Sequence, residues 1–353
     1  MIISRTPFRI SFFGGGTDYP AWYRRHGGAV LATTIDKYCY LTCRYLPPFF
    51  EHRIRVVYSR IENCQSVGEI AHPAVREVLR FLKIDRGVEV HHDGDLPARS
   101  GMGSSSAFTV GLLHALYALK GQMPTKHQLA MDGIFLEQEH LRETVGSQDQ
   151  ASAAYGGFNH IAFAPDGEIA VTPITLAPDR VRALNAHLQL YFTGVSRTAS
   201  DVAESYVDDA AGRGDTLRAI GAMVTDAMTV LRGGELADFG HLLHEAWQLK
   251  RSLGGRVSNP HVESIYASAR EAGALGGKLM GAGGGGFLVL FVPPAAQPAV
   301  RERLHGLLHV PFRFESSGSQ IIFFDHETDY AAEDLSRETP LRFRELRDVE
   351  GTP

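Results

Sequence analysis

Residues 97 to 107 read Pro-Ala-Arg-Ser-Gly-Met-Gly-Ser-Ser-Ser-Ala, with a strand-like segment ahead and an uncharged, helix-compatible run from Phe108 to Leu119 behind. Such a turn aims unpaired backbone N–H groups and the positive end of a helix at one spot, which suits a phosphate, while its hydroxyls suit the magnesium that accompanies nucleotides. The turn differs from better-known patterns. The third glycine of a dinucleotide fingerprint would fall at Ser106, and no Asp or Glu stands between Asp95 and Asp132 to hold a ribose. It lacks the Gly-Lys-Ser/Thr of a Walker A loop and the Gly-x-Ser-x-Gly order of a hydrolase elbow. Helix capping explains one serine, not three in a row. A nucleotide is therefore the leading ligand.

Two other segments carry glycines beside chemistry. Thr6 to Tyr19 is a strand-like run with one arginine, Arg9, and it ends in Gly14-Gly15-Gly16-Thr17-Asp18. Lys278-Leu-Met-Gly281-Ala-Gly283-Gly284-Gly285-Gly286 precedes Phe287. Three such clusters point to repeated close approach of backbone to something. A structural transition metal is not expected: His241, His244 and Glu245 have the wrong order for a zinc-protease helix, and His91-His92-Asp93 reads as solvated surface.

The elements that must hold these segments alternate between strand and helix patterns. Ile54 to Tyr58 and Gly87 to His92 read as strands, Pro73 to Leu82 as a helix, and Thr125 to Glu143 carries apolar residues at helical spacing. Turns at Gly156-Gly157 and Pro165-Asp-Gly167 mark a meander. A boundary is expected at residues 175 to 185. Beyond it come a strand at Leu188 to Phe192, helices around Asp201 to Asp209, Thr216 to Leu231, Leu236 to Leu253 and Pro260 to Ala272, and strands at Phe287 to Val292 and Gln320 to Phe324. The last of these is expected to share a helix-covered sheet with its neighbours. From Asp325 the chain becomes a charged, peripheral tail.

The chain has 353 residues, long for one core, with 44% hydrophobic and 21% charged residues, as in a folded globular protein. A net charge of -5 argues against broad nucleic-acid binding. No signal-peptide core or span of about 18 uncharged apolar residues is present, and the three cysteines fit a reducing compartment, so a cytoplasmic protein with no membrane partner is expected.

Pro97-x3-Gly101-Met102-Gly103-Ser104-Ser105-Ser106-Ala resembles the second motif of the GHMP kinases, the superfamily of galactokinase, homoserine kinase and mevalonate kinase. Thr6 to Tyr19 resembles its first motif and Lys278 to Gly286 its third. Within the superfamily, Gly14 to Tyr19, Gln148-Asp149-Gln150 with Gly156-Gly157-Phe158-Asn159, and Gly276-Gly-Lys278 are most similar to D-glycero-D-manno-heptose 7-phosphate kinases, with motifs shared by fucokinase. The resemblance implies an α+β fold in two domains. An N-terminal α+β domain would span 1–178 and a C-terminal ferredoxin-like α/β sandwich 179–353, with the active site in the groove between them.

It also implies roles. The Gly101 to Ser106 turn, with Pro97 and Met102, would hold the ATP phosphates, and Ser105 with Glu137 would hold Mg²⁺, Glu137 being preferred to Glu139 by its interval to the catalytic aspartate. Asp149 would accept the proton of the substrate hydroxyl, and Arg9 would polarise it and offset charge on the transferring phosphoryl group. Asp18, with Gly15, Gly16 and Thr17, would hold sugar hydroxyls, and Gly15-Gly16 replaces the Glu-His of galactokinase. Gly283 and Gly284 are assigned to the substrate side, and Arg197 and Lys250-Arg251 are candidates for its distal phosphate. The activity implied is ATP-dependent phosphorylation of the anomeric hydroxyl of the heptose 7-phosphate, feeding activated heptose into capsule or lipopolysaccharide synthesis. An L-fucose-type sugar 1-kinase and a silent sugar and nucleotide sensor stand as alternatives. The partners are a sugar phosphate and ATP, with a homodimer left open.

Overall fold

The structure, a computed structural model, describes residues 1–195, 213–325 and 330. Arg197, the helix expected around Asp201 to Asp209 and most of the charged tail lie outside the described residues. The chain opens on β1 (Ile2–Phe13), α1 (Pro20–His26), the long β2 (Gly28–Tyr45), β3 (Ile54–Val57), β4 (Ile61–Cys64), α2 (Pro73–Phe81) and β5 (Val88–Gly94). It continues through α3 (Ser104–Leu119), α4 (Lys126–Phe135), α5 (Gln148–Tyr155), β6 (Phe158–Phe163) and β7 (Ile169–Pro173). Along β1, Phe8, Ile10 and Phe12 are buried, as are the intervening polar Arg9 and Ser11, so both faces of this strand meet protein. The uncharged α3 packs against β1 and β2, with α4 and α5 beside it.

The helix expected from Thr125 to Glu143 is interrupted. Thr125 caps α4 by accepting from the Gln128 N–H, but at Leu136–His140 the chain widens into a π turn closed by Leu141 N–H donating to the Leu136 carbonyl at 2.8 Å. Such widenings re-aim side chains and cluster at functional sites. Here Glu137 turns inward and Glu139 outward.

The second half runs α6 (Pro178–Ala186), β8 (Leu188–Phe192), α7 (Gly214–Gly233), α8 (Leu236–Ser252), α9 (Pro260–Glu271), β9 (Gly276–Leu279), β10 (Phe287–Phe291), α10 (Gln297–Arg303) and β11 (Leu308–His309). The sheet order is β11-β8-β10-β9, every pair antiparallel. A β-α-β-β-α-β chain whose strands lie fourth, first, third, second is the ferredoxin-like arrangement. The last strands then leave this sheet. β12 (Phe314–Glu315) pairs with β2, and β13 (Gln320–Phe324) pairs antiparallel with β1, Ile2 opposite Phe324. The expectation that Gln320 to Phe324 completes the second sheet is thereby corrected, and residues 314–324 belong with the first. At the expected boundary stands a helix, α6, entered through Pro178.

Apolar packing fuses the halves. Phe12 and Phe13 of β1 meet Phe239 of α8 edge-on, with ring centroids 5.4 and 5.1 Å apart, and Phe239 meets Phe291 of β10. Trp22, from α1, belongs to the same buried cluster as Trp247 of α8. Because the two cores share these contacts, urea unfolding of the chain should be one cooperative transition when followed by tryptophan fluorescence. Two well-separated transitions would show that the halves hold together independently.

Candidate active site

The site forms where the first and third glycine clusters meet the second. Arg9 and Ser11 project from the same side of β1, two residues apart. The Arg9 guanidinium grips the Asp149 carboxylate with two bonds, Nε to Oδ1 at 2.7 Å and Nη2 to Oδ2 at 2.6 Å. Its remaining nitrogen, Nη1, donates to the Gly101 carbonyl at 2.6 Å, and its backbone N–H donates to the Met102 carbonyl at 3.1 Å. One arginine therefore fastens the first turn of α5, which carries Asp149, to the turn before α3. Forked, charge-assisted pairs of this kind fix angle as well as distance. The Asp149 side chain keeps 24% of its surface exposed against 6% for Arg9, so the carboxylate faces the opening.

Gly103 lies over this pair. A Cβ there would come within 3.2 Å of Arg9 Cγ and 3.5 Å of Asp149 Oδ2, and its backbone is left-handed at φ 74°. The residue is glycine on both counts. No side chain caps the N-terminus of α3, so its first N–H groups remain directed at the space beside Asp149. Ser104 is half-buried and Ser105 exposed at this end. Pro97 is exposed at the entrance to the turn and Met102 is buried beneath it.

Glu137 is fully buried, and its Oε2 accepts from Ser106 Oγ at 2.9 Å and Gln150 Nε2 at 2.6 Å. The expected convergence of Ser105 and Glu137 is thus corrected: successive helical residues point about 100° apart, and it is Ser106 that reaches inward. Burial, reinforced by the negative charge of Glu143, pushes the Glu137 carboxyl up to about 7 despite these hydrogen bonds. Its Oε1 has no partner among the described residues. An orphaned, charge-starved carboxylate oxygen beside an uncapped helix start is chemically suited to a hard cation.

Asp18 closes the acceptor side. It is 1% exposed and accepts from the Gly16 N–H at 2.9 Å. Burial, then the nearby Asp149 charge, raises its carboxyl above the usual range. Ser11 Oγ and Gln148 Nε2 flank Gly15, at 3.6 and 3.7 Å from where a Cβ would lie. Ser11 Oγ and Gln148 Oε1 are buried without partners among the described residues. Neither residue is assigned a role from sequence. The alternation of β1 pointed to Ser11 and adjacency to Asp149 to Gln148, but only folding shows both flanking Gly15. Thr17 is different. Its hydroxyl donates to the Gly14 and Ala29 carbonyls and accepts from the Ala29 N–H, so it locks the β1–β2 turn and is corrected from sugar contact to turn residue.

The third cluster meets the second backbone to backbone. A Cβ on Gly101 would lie 2.5 Å from the Met280 carbonyl, and one on Gly281 would lie 2.6 Å from Gly101 Cα. Phe287 N–H donates to the Ser100 carbonyl at 3.1 Å. Gly283 is pressed on the Val257 backbone, and Gly284 N–H donates to the Val257 carbonyl at 2.9 Å. Those two glycines are therefore corrected from substrate contacts to packing contacts within the chain. The Lys250 ammonium donates to the carbonyls of Leu279 (3.1 Å) and Gly281. Burial and the charges of Lys278 and Arg9 lower it well below its ordinary value. Arg251 is paired with Glu263.

An uncapped helix start, a carboxylate held by an arginine beneath it and buried polar groups alongside are suited to a phosphotransferase. The family model for the GHMP kinases N terminal domain matches residues 69–157, and that for the GHMP kinases C terminal matches residues 227–308. A D-glycero-alpha-D-manno-heptose 7-phosphate kinase of Campylobacter jejuni is 31% identical over 305 residues, covering 83% of this chain and 90% of its own. An L-fucokinase/L-fucose-1-P guanylyltransferase of Bacteroides fragilis is 25% identical over 345 residues, 86% of this chain but 36% of that protein. The crystal structure of a D-glycero-D-manno-heptose 1-phosphate kinase from Bacteroides thetaiotaomicron superposes with a TM-score of 0.77 at 23% identity, over 92% of this chain and all of that one, a likeness of fold. The chain belongs to the GHMP kinases. Within them it is an ATP-dependent sugar kinase. No helix among the described residues is long and apolar enough to cross a membrane.

Lys278 supplies a test of the site's electrostatics. Its ammonium donates to the Phe12 carbonyl at 2.9 Å, and burial, then the Arg9 charge, pulls it down to about 7. A base whose folded value lies below its unfolded one destabilises the fold most below the folded value, and the cost fades as pH rises toward the unfolded value near 10.5. Lys278→Met should therefore have a higher urea midpoint than the wild type at pH 7.5, with the advantage shrinking by pH 9.5, while kcat/KM falls by about tenfold or more. A pH-independent difference in midpoint would remove the buried ammonium as its cause.

Proposed function

We propose that this chain transfers the γ-phosphoryl group of ATP to the anomeric hydroxyl of D-glycero-D-manno-heptose 7-phosphate, giving the 1,7-bisphosphate, in the supply of activated heptose for surface polysaccharide. The observation that carries the reading is the Campylobacter relative, similar over nine-tenths of its own length, on a chain that presents the Arg9–Asp149 pair beneath Gly103. The uncapped start of α3, with Gly101, Gly103 and Ser104, holds the phosphates. The free oxygen of Glu137 and the Ser106 hydroxyl bonded to its other oxygen would hold Mg²⁺, which would supply charge neutralisation on the phosphates when bound.

Asp149 orients the acceptor hydroxyl and takes its proton. Both of its oxygens accept from Arg9, and each retains lone-pair capacity for a substrate O–H. Phosphoryl transfer rests mainly on positioning and charge stabilisation, and the Arg9 clamp provides the positioning. Asp18, Gln148 and Ser11, around the gap above Gly15 and Gly16, accept from or donate to ring hydroxyls. Lys250 and Lys278 contribute positive potential at the reacting end.

Asp149→Asn should lower turnover by about 10²-fold to 10⁴-fold while ADP binding is kept, measured by coupled ADP release and by titration calorimetry. Wild-type turnover would remove Asp149 from the chemistry. Across heptose 7-phosphate, heptose, L-fucose, galactose and mannose, kcat/KM is expected to be highest for heptose 7-phosphate. Equal efficiency with and without the 7-phosphate would sink that substrate, and a preference for L-fucose would favour the reading that the Bacteroides fragilis relative raises.

A further inference from the structure

A recess distinct from the catalytic cavity lies where the two connections between the halves pass each other. One connection is α6, which carries the chain from the first sheet into β8. The other is residues 310–313, which carry it back from β11 to β12. The recess, open to solvent, has a volume of ≈ 530 Å³ and is lined by residues of both, with Arg182, Gln189, Gln297, Arg301, His309 and Arg313 among its polar groups. No acidic residue lines it, although the chain as a whole carries a net charge of -5.

The interior is built rather than incidental. Gln189 is 2% exposed, its Oε1 accepts from the Tyr191 hydroxyl at 3.2 Å, and its Nε2 is buried with no partner among the described residues. A buried donor without an acceptor is a departure that native structures rarely tolerate without a reason. Arg301 is held by donating to Gln297 Oε1 at 3.0 Å. Gln297 is fixed in turn by donating to the Ala186 carbonyl at 2.6 Å. Burial, aided by the Arg301 charge, keeps the His309 ring below its usual basicity. Arg182 pairs with Asp179, but both are well exposed and the pair is screened by solvent. The Arg313 backbone N–H is anchored by Asp36 Oδ1 at 2.8 Å.

We propose that this recess binds a small phosphorylated metabolite, with Arg301 and Arg313 taking phosphate oxygens and Gln189 Nε2 donating from the floor. Guanidinium groups match the tetrahedral oxygens of phosphate, and the volume exceeds one inorganic ion, which leaves room for the organic part. A ligand seated there touches both connections at once, so it holds the two halves in a single relative placement.

The test is a calorimetric titration of pyrophosphate into the full-length protein already saturated with Mg²⁺ and ADP, at constant ionic strength, so that the Gly101 to Ser106 turn is filled. One additional site is expected, weakened at least tenfold in Arg301→Glu and in Arg313→Glu, with ADP affinity retained in both. Both arginines are exposed, so their replacement leaves the fold in place. Absence of a second binding event in the wild type overturns the proposal, as does an event of equal affinity in both variants. Because the readout is made with the nucleotide site occupied and scores no turnover, it is independent of which sugar the kinase phosphorylates.

Discussion

The Arg9–Asp149 fork is the constraint on which the rest of the molecule depends. One guanidinium spends its three nitrogens on the catalytic-side carboxylate and on the Gly101 carbonyl. Strand β1, helix α5 and the turn before α3 are thereby fixed in one geometry, with the arginine 6% exposed. A surface pair of the same shape would be worth little. At this depth, removing either partner leaves a charge buried and uncompensated, so the pair sets orientation more than it adds stability.

The glycine clusters serve that geometry in two ways. Gly103 makes room: a side chain there would strike the fork itself. Gly101, Gly281 and Gly286 let two turns from opposite halves touch through their backbones, and Phe287 N–H seals the contact on Ser100. The placement of the phosphate turn is therefore set partly by the second half of the chain. Lys250 reinforces this by donating to the carbonyls at the mouth of the third cluster.

Much of this was legible in the sequence, and the remainder was hidden for physical reasons. Helices with strong periodicity, such as Pro260–Glu271, and strands bounded by turn residues needed only local pattern. The motif order placed Arg9, Asp149, Glu137 and the Gly101 to Ser106 turn on the page before folding. What local pattern does not carry is partnership. Nothing in Gln320 to Phe324 distinguishes a strand that completes its neighbours' sheet from one that returns to β1. Glycine alone does not reveal whether the close approach it permits is to the side chains of the site, as at Gly103, or to the Val257 backbone, as at Gly283. Ser106 and Ser105 are equivalent in composition, and only the phase of α3, with the π turn opposite it, sends the former to Glu137. Thr17 reads as a sugar contact from its place beside Asp18 in the motif, but its hydroxyl is spent on Gly14 and Ala29 of the turn it closes.

The electrostatics of the site are unresolved by the protein itself. Lys250 and Lys278 are held below their ordinary basicity by burial and by neighbouring cations, while Glu137 and Asp18 are held below their ordinary acidity by burial and by neighbouring carboxylates. Cations crowd cations and acids crowd acids. Each conflict is of the kind that a ligand of the opposite charge relieves: phosphate oxygens restore the proton to a depressed lysine, and a divalent ion stabilises a carboxylate that burial has made reluctant to ionise. Burying such groups carries a cost in the free chain that a ligand of opposite charge would offset.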